Sequence, residues 1–156
     1  MIAATDQTAA TPNELNRYLP PGPMLDTLGG AEVLSIDPDN GIVRVRFTAR
    51  PEFCHSNGTI VQGGFVTAWL DFAMAFATMN RTRGASNVAT LEIKVSFFER
   101  VGPGPIVVEG RVRRLGKRVG FLEASLFTEG DRLAATATST AMLVPLAPAQ
   151  PEPRRA

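Results

Sequence analysis

One carboxylate stands inside the most apolar stretch of this chain. From Phe65 to Met79 nearly every residue is Ala or a larger hydrophobe, none is Gly or Pro, and Asp71 is the only charge. A carboxylate taken into an apolar interior costs several kcal/mol unless something pairs with it. Asp71 is therefore either a core acid that reaches a surface or caps a neighbour, or a desolvated catalytic group. Gln62-Gly63-Gly64 lead directly into the same stretch. At a helix start the backbone N–H groups lack intrahelical acceptors and the dipole favours negative charge. Glycine there lets another group approach the backbone closely. Such a start can hold an oxyanion, with an acid about two turns further along the helix. By helical spacing Gly63, Thr67, Asp71 and Thr78 fall roughly along one face.

The string Asn57-Gly58-Thr59-Ile60-Val61-Gln62-Gly63-Gly64, followed by Asp71, resembles the signature of hotdog-fold acyl-CoA thioesterases of the phenylacetate-degradation (PaaI) type. The resemblance runs from about Met24 to Val144. It implies that the Gly63 N–H meets the thioester oxygen, that Asp71 is general base or nucleophile, and that Thr90 on the next strand positions water. It also implies sites at a subunit interface, where Asp71 of one chain faces Thr90 of another. On the loop before the helix His55 either contacts substrate or is simply solvent-exposed, and Asn57 either holds a carbonyl or water or is a turn residue before Gly58. Gln62 and Gly64 are candidate substrate contacts beside Gly63. Two positions depart from the pattern. Many members carry His where this chain has Gln62, and the family's Asn aligns with Ser56, one place before Asn57.

These residues need a scaffold, and the hydrophobic pattern supplies one. Residues 1–10 are expected to be mobile, 11–144 to form a single domain, and the Pro-rich 145–156 to be disordered. Thr11-Pro12-Asn13-Glu14 has the form of a capping box before a short helix to about Leu19. Met24 to Leu28 adds a further turn, in which Asp26 reads as a local cap. Ala31 to Asp37 and Ile42 to Ala49 read as paired strands around the turn Pro38-Asp39-Asn40-Gly41. A loop through Cys54, His55 and Asn57 leads to the helix, predicted over Phe65 to Asn80. Four strands follow: Asn87 to Phe98, Ile106 to Leu115, Val119 to Thr128 and Arg132 to Val144. One apolar helix among six strands makes an α+β domain. The physical solution is an antiparallel sheet curved around one long central helix, the hotdog fold of the resemblance. A helix apolar on every side needs cover on every side, which one sheet cannot give. The chain is therefore expected to be at least a dimer, and a dimer of dimers as a homotetramer.

Composition narrows the function classes. The chain has 156 residues and a formal net charge of +1, which disfavours nucleic acid as a partner. It has one cysteine and one histidine, so neither an internal disulfide nor a cluster of histidines on a metal is possible. Cys54 and His55 are adjacent, and in extended chain they point to opposite faces rather than forming a dyad. The first residues lack the basic start and apolar core of a secretory signal, and no stretch is long and apolar enough to span a membrane. A cytoplasmic protein without metal or cofactor is expected. Arg111, Arg113, Arg114, Lys117 and Arg118 surround one hairpin and either contact the phosphates of coenzyme A or are simply solvated. Phe65, Trp69, Phe72 and Phe76 either shape an acyl pocket for an aromatic or medium-chain group or are plain core. The leading expectation is hydrolysis of an acyl-CoA. A non-catalytic acyl-CoA or lipid-binding module stands second. A hotdog hydratase or dehydratase stands third, because no His follows Asp71.

Overall fold

The computed structural model describes residues 15–20 and 22–146, so the capping motif at 11–14 and most of the expected tail lie outside the described residues. Six strands form one sheet: β1 (Glu32–Asp37), β2 (Ile42–Ala49), β5 (Ser86–Phe97), β6 (Gly104–Leu115), β7 (Val119–Thr128) and β8 (Arg132–Pro145). Their spatial order is β1-β2-β6-β7-β8-β5, with antiparallel neighbours throughout. Two short strands, β3 (Cys54–His55) and β4 (Ile60–Val61), make a separate hairpin where the sequence suggests only loop. A 3-10 turn covers Asn16–Tyr18, α1 is the single turn Met24–Thr27, and α2 is Gly63–Arg81. Strands flanking one long helix realise the hotdog arrangement. β8 runs through Pro145, one residue beyond the expected end, and the Leu146 N–H still bonds the Ala85 carbonyl at 3.0 Å.

α2 lies across the concave face of the sheet. Val66, Trp69, Leu70, Phe72, Ala73, Met74, Phe76 and Ala77 are buried against Val43, Val45, Phe47, Val108, Leu122, Leu126 and their neighbours. Phe47 meets Phe72 edge to face with ring centroids 5.6 Å apart, a favourable aromatic geometry. Trp69 is fully buried, and its indole N–H donates to the Leu28 carbonyl at 2.8 Å, which ties the segment after α1 to the helix. Within one chain the helix is covered on one side only, as expected of a single sheet. Gly64 is exposed, and Thr67, Ala68, Asp71 and Ala75 are only half-buried, because the sheet reaches one side of the helix alone. Thr78 is fully buried and its hydroxyl donates to the Met74 carbonyl, so it takes no part in the Asp71 face.

Outside, the convex face carries a ladder of charges in which Arg111 and Arg113 pair with Glu109 and Glu123 at 3.1–3.7 Å. Exposed pairs of this kind contribute about 0–1 kcal/mol each, so the ladder solvates the sheet rather than holding it. No described helix is long and apolar enough to cross a membrane.

Gly110 of β6 sets how close the helix lies. A Cβ there would overlap the Ala73 carbonyl of α2, a backbone group that cannot swing aside. Gly110→Ala is expected to destabilise the fold by about 1–3 kcal/mol through overpacking. Urea denaturation checks this. An unchanged midpoint would show that the helix can ride higher without loss.

Candidate active site

The hairpin β3–β4 steers the chain into α2. Ser56, Asn57 and Gly58 are successive residues with positive φ (52°, 58° and 76°), a tight reversal that an Asn-Gly pair accommodates well. The Val61 N–H donates to the Val101 carbonyl at 2.8 Å and the Gln62 N–H to the Phe53 carbonyl at 2.9 Å, so the helix start is anchored on two sides. Gln62 is the N-cap. Its side-chain Oε1 accepts from the Gly64 N–H, which brings both glycines into the helix two residues before the predicted start. The Gly63 N–H has no acceptor among the described residues. Thus Gln62 and Gly64 engage each other, and the first backbone donor of the helix is left free. His55 and Asn57 are exposed on the hairpin, where the His55 Nδ1 lies 2.9 Å from the Ser56 hydroxyl.

Two turns along α2, the Thr90 hydroxyl donates to Asp71 Oδ1 at 2.8 Å. Both residues belong to the same chain, whereas the resemblance implied that they meet across an interface. A β-bulge makes the contact possible. Thr90 pairs with Ala141 and Glu92 with Thr140, leaving Leu91 between them as the extra residue. Ile93, Val95 and Phe97 pair with Ser139, Ala137 and Ala135, which lie on the buried side of β8. By strict alternation Leu91 would join that inward set and Thr90 would point away. The bulge reverses the phase, turning Thr90 to the helix and leaving Leu91 60% exposed.

The structure therefore builds two groups from the residues singled out in the sequence. One is the free Gly63 N–H with Gln62 and Gly64. The other is Asp71 with Thr90. Gly63 and Asp71 are eight positions apart on one helix, an axial rise of about 12 Å. Of the two readings of the helix aromatics the structure shows plain core: Trp69, Phe72 and Phe76 are buried, and Phe65 stacks on Phe53 with centroids 4.2 Å apart. Sequence reasoning missed Phe97, whose ring stands 3.2 Å from where a Gly63 side chain would begin. Among the described residues no group of three or more His, Cys, Asp or Glu is placed to hold a metal.

A single long helix laid against a six-stranded antiparallel sheet defines the hotdog fold. The family model of the thioesterase superfamily matches residues 58–135, and the chain belongs to that superfamily. It is a hydrolase of thioesters. A phenylacetic acid degradation-related protein of Ralstonia eutropha JMP134 is 26% identical, with a TM-score of 0.73 over 85% of this chain and 99% of its own. A mutant form of the phenylacetic acid degradation protein PaaI of Thermus thermophilus is 25% identical, with a TM-score of 0.66 over 78% and 98%. A Streptococcus mutans UA159 protein bound to acetyl CoA shares the fold at 15% identity, with a TM-score of 0.65 over 72% and 87%.

Cys54 takes no part in this arrangement. Its thiol is 3.6 Å from the Arg50 carbonyl, and burial, with the Glu52 carboxylate adding to it, pushes the thiol above its ordinary value. The thiolate is the reactive form, so a raised value keeps this cysteine inert at neutral pH. Iodoacetamide labelling is expected to be slow at pH 7 and to accelerate only as the pH rises through the alkaline range. Rapid stoichiometric labelling at pH 7 would contradict this.

Proposed function

We propose that the protein cleaves acyl-CoA thioesters, with an uncharged aromatic or medium-chain acyl group, at a site made from two protomers. The observation that carries this reading is the separation of the free Gly63 N–H from the Thr90-bonded Asp71 by about 12 Å of helix. One thioester carbonyl cannot touch both groups of the same chain. It can touch Gly63 of one protomer and Asp71 of its partner.

The edge strand β5 supports that pairing. It is a 12-residue strand with one unpaired side, an arrangement that favours addition of another strand. Near one end Thr90 bonds Asp71, and at the other Phe97 stands against Gly63. A two-fold antiparallel pairing of β5 with its copy, Thr90 of one opposite Phe97 of the other, joins the two half-sites twice per dimer. A dimer of such dimers is the assembly we favour, in a reducing, cytoplasmic setting that suits a lone free thiol.

The chemistry needs no more than these groups. As the thioester carbon becomes tetrahedral, the Gly63 N–H stabilises the charge on oxygen, a donor typically contributing about 2.7–4 kcal/mol to the barrier. With its Oε1 held by Gly64, the Gln62 carboxamide has its Nε2 hydrogens left for the same oxygen. Asp71 acts in one of two ways. As a base it takes a proton from water while the hydroxide attacks the carbonyl carbon. As a nucleophile it attacks directly, and water then hydrolyses the mixed anhydride. In both, the carbon–sulfur bond breaks, the sulfur leaves as thiolate and is protonated, and the products are the acid and the thiol. Thr90 orients the carboxylate through Oδ1 and leaves Oδ2 for the reaction. Beyond the site, Arg114, Lys117 and Arg118 stand exposed at the β6–β7 turn, without an ion pair among the described residues. Val119 beside them pairs with Met142, which is also the strand partner of Ala89, next to Thr90. These cations therefore lie on the Asp71 side of the site and suit the phosphates of CoA.

Asp71→Asn is expected to abolish thiol release from a panel of acyl-CoA substrates while leaving the melting temperature unchanged or slightly higher, as one half-buried charge is removed. A wild-type protein inert on the whole panel would leave the binding-module reading in its place. An Asn variant as fast as wild type would make Asp71 a structural acid.

The two-protomer site has its own test. Asp71→Asn and Gly63→Val are each expected to be inactive. Co-expressed and allowed to mix at random, they form heterodimers with one intact site of two, recovering about one quarter of wild-type activity. Mixtures as inactive as their components would place the whole site within one chain.

A further inference from the structure

The described surface beside Gly63 holds a cavity that neither the oxyanion donor nor the carboxylate accounts for. Its volume is about 350 Å³, and its walls are Ile60 and Val61 of β4, Val66 of α2, Phe97 and Phe98 at the end of β5, and Val101. All of these side chains are hydrocarbon. The polar residues of its lining, Glu99 and Arg100, carry opposite charges and have left β5 behind. We propose that this cavity is the acyl subsite, that it takes a compact uncharged aryl or alkyl group, and that Phe97 and Ile60 set the size it accepts. The inference rests on the thioesterase reading above and extends it by assigning the two ends of the substrate to different protomers.

Three observations point the same way. First, the cavity opens at Gly63, so a carbonyl oxygen on that N–H places its substituents at the cavity mouth. Secondly, the two groups attached to a CoA thioester differ in their needs. The pantetheine arm has two amides that must be hydrogen-bonded or wet, and the nucleotide carries phosphates, whereas an aryl or alkyl acyl group needs only to leave water. A hydrocarbon cavity suits the acyl group. Arg114, Lys117 and Arg118 stand instead on the Asp71 side, and Arg100 is the one cation in the cavity's lining. Thirdly, the size fits, since an apolar cavity of about 150 Å³ already takes benzene, and this one has room for a ring and its linking carbon or for a chain of similar bulk.

Phe97 is the wall most open to change. It is 53% exposed, yet it continues the inward row of Ile93 and Val95 and stands against Gly63, so it is held at the site without belonging to the core. Ile60 is half-buried on the opposite side, in a two-residue strand with few neighbours to disturb.

The test compares kcat/KM for acetyl-CoA, phenylacetyl-CoA and dodecanoyl-CoA, alongside light scattering for assembly. Phe97→Ala opens the cavity and is expected to shift the dodecanoyl to phenylacetyl ratio upward by about tenfold, the scale on which apolar pockets discriminate. Ile60→Trp fills the cavity and is expected to lower kcat/KM for phenylacetyl-CoA about tenfold or more while sparing acetyl-CoA. If Phe97→Ala fails to fold or to assemble, Ile60→Trp and the milder Phe97→Leu decide. Ratios unmoved in folded, assembled variants of an active enzyme overturn the subsite and leave the thioesterase reading intact. A wild type inert on all three substrates and on the wider panel overturns that reading, and the subsite with it.

Discussion

The distance between α2 and the sheet is the constraint on which the rest depends. It is fixed where Gly110 meets the Ala73 carbonyl, a contact with no room for a methyl group. A helix lying this low buries Trp69, Leu70, Ala73, Met74 and Ala77 completely. It also brings Asp71, two residues from Ala73, within a hydrogen bond of a strand at the sheet's edge. With a larger residue at Gly110 the helix would ride higher, and a carboxylate as short as that of Asp71 would lose Thr90. One close packing contact thus serves both the core and the site.

From that constraint follows the division of the site. Phe97 at the end of β5 stands against Gly63 where the helix begins, and Thr90, seven positions earlier, meets Asp71 two turns along, so one strand touches both Gly63 and the acid without bringing them together. The uncovered side of the helix is lined by Gly64, Thr67, Ala68, Asp71 and Ala75. These are small or polar residues, which allow close approach rather than demand burial. The large exposed hydrophobes Leu91, Phe97 and Phe98 lie on or just beyond β5. A strand edge with unpaired backbone groups and apolar side chains around it is poorly satisfied in water, which favours the second copy proposed above.

Much of this is legible in the residues alone. An apolar stretch with one acid and a glycine pair before it marks the helix, and the alternation of Val43, Val45 and Phe47 marks a half-buried strand beside it. Three things are hidden. The helix starts as early as Gly63 because Gln62 caps it through its side chain, whereas intrinsic propensity argues against two glycines in a first turn. The apolar count around α2 does not tell which side one chain leaves open, because alanine reads as hydrophobic, and Ala68 and Ala75 are half open. Leu91 reads with Ile93 and Val95 as one inward row, since a bulge adds a residue that alternation cannot reveal. Thr90 itself is picked out by resemblance, against its parity in the strand.

The bulge also explains how one strand carries both a polar and an apolar duty. The acid needs a hydroxyl at one end of β5, and the cavity beside Gly63 needs an aromatic wall at the other. Seven residues separate Thr90 from Phe97, an odd number, which in a regular strand turns one of them away from the helix. One inserted residue makes both face inward. Were Leu91 absent, either the hydroxyl would leave Asp71 or the ring would leave Gly63. In the paired arrangement each Phe97 lies opposite its partner's Thr90, so the same inserted residue sets the acyl wall of one site and the acid's hydrogen bond in the other. In the proposed pairing the acyl group would sit against the protomer that supplies the Gly63 N–H, and the thiol would depart toward the protomer that supplies Asp71.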